Sequence, residues 1–159
     1  MKYDKTTLIY DSVYGNTKKI AEAIIKGLTG EVVIKKPGDV DPSELQGLGV
    51  LLVGSPTHGG RASKPMQKFL DNIPSHALKN IRAAAFDTCL PIKGQKFFLK
   101  LIINLFGYAA KRIAKVLQSK GATIIATESF FVLGKKGPLK KGEEARAKEW
   151  AQKIKSLYH

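Results

Sequence analysis

The sequence predicts an α/β protein built on a parallel β-sheet with helices on both faces. Three observations lead there. Short β-prone runs alternate with amphipathic helical stretches, the run Val50-Leu51-Leu52-Val53 is apolar at every position, and 43% of the 159 residues are hydrophobic. Alternating strands and helices imply crossover connections, hence parallel pairing. An unbroken apolar strand suits a sheet covered on both sides. The length fits one domain over residues 1–159, and the hydrophobic content supports a packed core, which excludes a disordered chain.

Thr6 to Tyr10 reads as the first strand, followed by a turn-rich segment and then a helix with Ile20, Ala21, Ile24, Ile25 and Leu28 at helical spacing, stopped by Gly30. Glu31 to Ile34 gives a second strand and Gly49 to Gly54 a third. A helix from about Ser63 to Asn72 turns Met66, Phe69, Leu70 and Ile73 inward. Arg82 to Asp87 is the fourth strand, and a long helical pattern runs on to Lys120-Gly121. Ala122 to Val132 is the fifth strand, and Glu143 to Leu157 the last helix, where Trp150 and Ile154 share a core-like spacing.

Charge and cysteine count narrow the function classes. Lys plus Arg number 27 against 13 Asp plus Glu, a formal charge of +14, so the surface attracts something anionic. No recognised nucleic-acid reading motif accompanies that charge, so specific nucleic-acid binding is not expected. The one cysteine excludes an intramolecular disulfide framework, and three scattered histidines do not make a metal centre. Met1 to Lys5 run straight into the first strand without a leader pattern, and Phe97 to Ala110 is too short to span a bilayer and carries Lys100 and Asn104. The expectation is a cytoplasmic protein without a transmembrane segment.

In a sheet of this kind, ligands sit beyond the carboxyl ends of the strands. The loop Ser12-Val13-Tyr14-Gly15-Asn16-Thr17 sets small hydroxylic residues and a glycine before a helix whose leading amides favour an anion. The same pattern also suits a plain turn with Asn16 or Thr17 as helix cap. It lacks both G-x-x-x-x-G-K-[ST] and G-x-G-x-x-G, so a phosphate here would be held without the usual lysine. The loop Gly54-Ser55-Pro56-Thr57-His58-Gly59-Gly60 combines a stiffening proline with glycines that let backbone approach a flat ligand, although a simple β-to-α turn would look alike.

Together, Asp11 to Thr17 and Gly54 to Gly60 resemble the flavodoxin family, whose members bind FMN noncovalently, and the element order and chain length resemble it too. The resemblance implies a flavodoxin-like three-layer sandwich with a five-stranded parallel sheet in the order 2-1-3-4-5. It also implies that Ser12, Val13, Tyr14, Gly15, Asn16 and Thr17 hold the FMN phosphate. Pro56, Thr57, His58, Gly59 and Gly60 would lie on one side of the isoalloxazine, with Thr88, Cys89 and Leu90 on the other. The function implied is an electron carrier with no catalytic side chain and no metal. The alternative is an FMN-dependent reductase of a quinone or another small acceptor, as an oligomer or at a membrane surface.

The chain departs from the family in two ways. It is strongly basic where typical members are acidic, and its second and third loops offer no Trp or Tyr to sandwich the flavin. His58 suits either a flavin contact or a solvated surface, and Cys89 either a redox role or a small core filler. From Thr88 to Thr127 there is no acidic residue, while Lys93, Lys96, Lys100, Lys111, Arg112, Lys115 and Lys120 supply half the net charge. Phe98, Ile102, Leu105, Ala109, Ile113 and Val116 form one helical stripe there; Leu99, Ile103, Phe106 and Ala110 form a second, which is either buried or a docking surface over 97–110 for a membrane, a quinone or another subunit. A positive surface favours an acidic redox partner protein.

Overall fold

The computed structural model describes residues 5–91, 96–98, 100–101 and 108–158. Five strands, β1 (Lys5–Tyr10), β2 (Glu31–Lys35), β3 (Val50–Pro56), β4 (Arg82–Cys89) and β5 (Thr123–Phe131), form one sheet in the order β2-β1-β3-β4-β5. Every neighbouring pair is parallel. Helices α1 (Asn16–Gly27), α2 (Lys64–Asp71) and α3 (Ala109–Ser119) lie in the crossovers from β1 to β2, β3 to β4 and β4 to β5, and α4 (Glu143–Ser156) follows β5. The strands and helices stand where their periodicity places them, but β3 and β4 run two residues further than expected. Ladder pairs Ser55 to Asp87 and Pro56 to Thr88 extend them and carry the second and third loops forward.

Side chains alternate across the sheet, so two cores form from one set of strands. On one face Ile9, Leu51, Val53, Ala83 and Ala85 pack under Met66 and Leu70 of α2 and Ile113 and Leu117 of α3. On the other, Leu8, Leu52, Ala84 and Phe86 pack under Ile20 and Ile24 of α1 and Trp150 and Ile154 of α4. Trp150 is therefore a core residue, edge-on to Phe86 and Phe130 at 6.2 and 6.0 Å.

The basic segment departs from one continuous stripe. Ala109, Ala110 and Ile113 are buried, yet Phe98 is 71% exposed and Phe97 82% exposed, because the helix that covers the sheet starts only at Ala109. Lys93 and the stripe residues Leu99, Ile102, Ile103, Leu105 and Phe106 lie outside the described residues. Among the described residues, no helix is long and apolar enough to cross a membrane.

Candidate functional site

At the carboxyl ends of β1, β3 and β4 the three loops converge on one cleft. Val13, Tyr14, Asn16 and Thr17 line it from the first loop, Pro56, Thr57 and His58 from the second, and Thr88, Cys89 and Leu90 from the third. Ser12, Gly15, Gly59 and Gly60 do not line it. Ser12 acts one step back, its Oγ accepting from the Lys18 amide at 3.2 Å. Gly59 and Gly60 take positive φ of 56° and 78°, forming a tight turn closed by reciprocal hydrogen bonds between His58 and Arg61.

The helix begins at Asn16, but neither Asn16 nor Thr17 is its cap. Gly15 occupies the cap position with φ of 91°, a left-handed conformation that glycine adopts without steric cost. No side chain of the cap residue satisfies the helix start, and no acidic residue sits in the first turn. Helix geometry leaves the amides of Asn16 and Thr17 without intrahelical acceptors. Both side chains are instead turned to tertiary work: Thr17 Oγ1 lies 2.8 Å from Thr88 Oγ1, and Asn16 Nδ2 donates to the Lys136 carbonyl at 3.1 Å.

The second and third loops are stitched by the Thr57 amide, which donates to the Thr88 carbonyl at 2.9 Å. Beneath them lies Asp87, fully buried at the end of β4. Its Oδ2 accepts from the Thr57 hydroxyl at 2.8 Å and the Ala110 amide at 3.0 Å, while Thr57 Oγ1 accepts from the Ala109 amide at 3.1 Å. Asp87 thus ties the second loop to the start of α3. Its Oδ1 has no hydrogen-bond partner among the described residues. Burial pushes the carboxyl above the usual aspartate range, outweighing the Ala110 amide that favours the charged form.

Cys89 is buried and its thiol is raised by that burial and, next, by the charge of Asp87, so it is held as a neutral thiol. That is the environment of a small apolar filler rather than a reactive thiolate. His58 is exposed at the mouth of the cleft.

Four residues escaped the sequence reasoning. Val132 and Lys135 line the same cleft from the segment after β5, and Tyr108 donates its hydroxyl to the Leu90 carbonyl at 3.2 Å. Asp87 is the fourth, and it left a signal, since an acid ending the run Ala83-Ala84-Ala85-Phe86 in a strand covered on both faces must find partners. The other three carried no local signal.

The model of the family described as Flavodoxin matches residues 8–150. Among curated proteins, the chain is 37% identical over 86 residues to a putative diflavin flavoprotein A 6 of Nostoc, covering 50% of this chain and 15% of that protein. It is 38% identical over 73 residues to a flavodoxin of Aquifex aeolicus, covering 43% of this chain and 40% of that one. The matched stretches thus span less than half the length of either relative. Among solved structures, oxidised flavodoxin 2 of Bacillus cereus superposes with a TM-score of 0.75 at 20% identity, covering 97% of this chain and 99% of that one.

Proposed function

The chain belongs to the flavodoxin family, and from that premise we propose that it binds FMN in the cleft of the three loops and carries electrons to a partner protein. The observation that carries this reading is the convergence of Thr17, Thr57 and Thr88, from the first turn of α1 and the ends of β3 and β4, on one cleft.

The residues present fit the cofactor. The first turn of α1, with no cap side chain on Gly15 and no acidic residue, offers the amides of Asn16 and Thr17 and the positive end of the helix dipole to a phosphate. Pro56 and Leu90 give the ring apolar walls, and the apolar Val13 is 55% exposed at the cleft's edge. When bound, FMN supplies the reversible acceptance and release of electrons. The chain's own residues bind and orient: the first loop anchors the phosphate, and the Thr57–Asp87–Ala110 network holds the second loop at a set distance from α3. In this reading no side chain of the cleft has to act as acid, base or nucleophile.

For partners, the reading is an acidic redox protein that docks beside the cleft. The +14 charge supports it, as do the exposed Phe97, Phe98 and Leu101 beside Lys96 and Lys100. Visible absorption of the purified protein, recorded before and after adding FMN, tests the central proposal. A bound-flavin spectrum with quenched fluorescence supports it, and an unperturbed free-FMN spectrum overturns it. Steady turnover of quinones with a reduced nicotinamide donor would favour the reductase alternative over the carrier.

A further inference from the structure

The phosphate loop has no lysine of the Walker kind, and the next two cations in sequence, Lys18 and Lys19, are exposed and do not line the cleft. The fold brings a cation from elsewhere. After β5 the chain makes a compact turn over residues 132–139: Val132 pairs antiparallel with Leu139, the Leu133 amide donates to the Pro138 carbonyl at 2.9 Å, and the Gly137 amide to that of Gly134 at 3.0 Å. Its base is firmly mounted. The Phe131 amide donates to Glu143 Oε2 at 2.7 Å, and the Arg146 guanidinium donates to the Ser129 carbonyl at 2.6 Å while pairing with Glu143.

The tip of this turn rests on the phosphate loop by three contacts. Asn16 Nδ2 reaches the Lys136 carbonyl, and the Lys136 ammonium lies 5.9 Å from the centre of the Tyr14 ring. Gly137, at φ of 106°, sits so close to Asn16 that a Cβ there would lie 2.8 Å from its side-chain oxygen. Lys136 lies over Tyr14 and does not line the cleft, whereas Lys135 beside it lines the cleft together with Tyr14, Asn16 and Thr17. Resting on the FMN reading above, we infer that Lys135 is the cation that faces the flavin phosphate and makes this cleft select a phosphate ester over its neutral, unphosphorylated counterpart.

An exposed lysine meeting a dianion is worth most at low ionic strength, where the screening length reaches about 30 Å at 0.01 M salt. Removing it should weaken FMN binding about two- to fivefold there, a modest effect in keeping with solvent-exposed ion pairs. The neutral flavin should not feel the change.

The test is to titrate FMN and riboflavin, by fluorescence, into the full chain and its Lys135→Met and Lys135→Arg variants across a salt series, with circular dichroism confirming the fold. The expected result is a Lys135→Met variant that loses FMN affinity at low salt and shows a shallower salt dependence, keeps wild-type riboflavin affinity, and is rescued by Lys135→Arg. Equal FMN affinity in Lys135→Met and wild type at low salt would overturn the role of Lys135 and leave the FMN reading standing. Failure of the wild type to bind either flavin would overturn both.

Discussion

Thr17 and Thr88, 71 residues apart in sequence, meet hydroxyl to hydroxyl at 2.8 Å with both side chains buried. The contact locks the start of α1 to the end of β4, so the first and third loops of the cleft share a hinge point that neither loop contains by itself. Removing one hydroxyl leaves the other without its buried partner, at a cost of about 1–3 kcal/mol. Thr17→Val and Thr88→Val should each destabilise the apoprotein by that order, and the double variant by clearly less than the sum. Urea denaturation of the four proteins in the cycle measures the coupling; strict additivity would mean the two hydroxyls are satisfied independently.

Asp87 makes stability depend on pH in an unusual direction for an aspartate. Its carboxyl is raised by burial, so above the ordinary value of 3.8 the folded protein still holds a proton that the unfolded chain has released. Stability therefore falls as pH rises through that window, with a limiting slope of about 1.4 kcal/mol per pH unit for one proton. Asp87→Asn retains a carbonyl acceptor for the Ala110 amide and the Thr57 hydroxyl and has no proton to lose. Its stability relative to wild type should increase as pH rises above 3.8, as read by denaturation of the apoproteins; parallel pH profiles would refute the assignment.

Burial of Cys89 sets its chemistry. With the thiol held neutral, Ellman's reagent at pH 8 should leave the native protein essentially unmodified and titrate one thiol in urea. Fast native labelling would show that the third loop opens.

Gly54 is required by packing rather than by the ligand. A Cβ there would lie 2.1 Å from the Phe86 ring, which is fully buried and boxed by Phe130 and Trp150. Gly54→Ala should cost about 1–3 kcal/mol or more through overpacking and should shift the emission of Trp150. An unchanged spectrum and stability would show that the ring moves freely.

Electron transfer to an acidic partner should slow steeply with added salt, because attraction to the basic surface is screened over about 8 Å at physiological ionic strength. Lys96→Glu with Lys100→Glu should flatten that dependence, while Phe97→Ser with Phe98→Ser should lower the rate at every salt concentration without changing FMN affinity. Stopped-flow kinetics distinguishes the two effects, and rates insensitive to all four substitutions would place docking elsewhere.

Much of this molecule was determined by local sequence. The alternation of Leu8 with Ile9 and of Leu51 with Leu52 dictates a sheet buried on both faces, because successive strand side chains point in opposite directions. The loops that line the cleft follow from the same logic, since glycine, proline and small hydroxylic residues mark where strands end. What the tertiary structure decided is which distant groups land beside those loops. Lys135 comes to line the cleft beside Tyr14 and Asn16 through the turn that follows β5, and Tyr108 reaches Leu90 only once the chain has returned to the sheet. Asp87 reads as part of an ordinary strand until α3 sets the Ala110 amide against it. Periodicity reports which face a side chain occupies, a property of a few neighbouring residues. Its partners across more than 100 residues depend on strand order and helix packing, which no local spacing encodes.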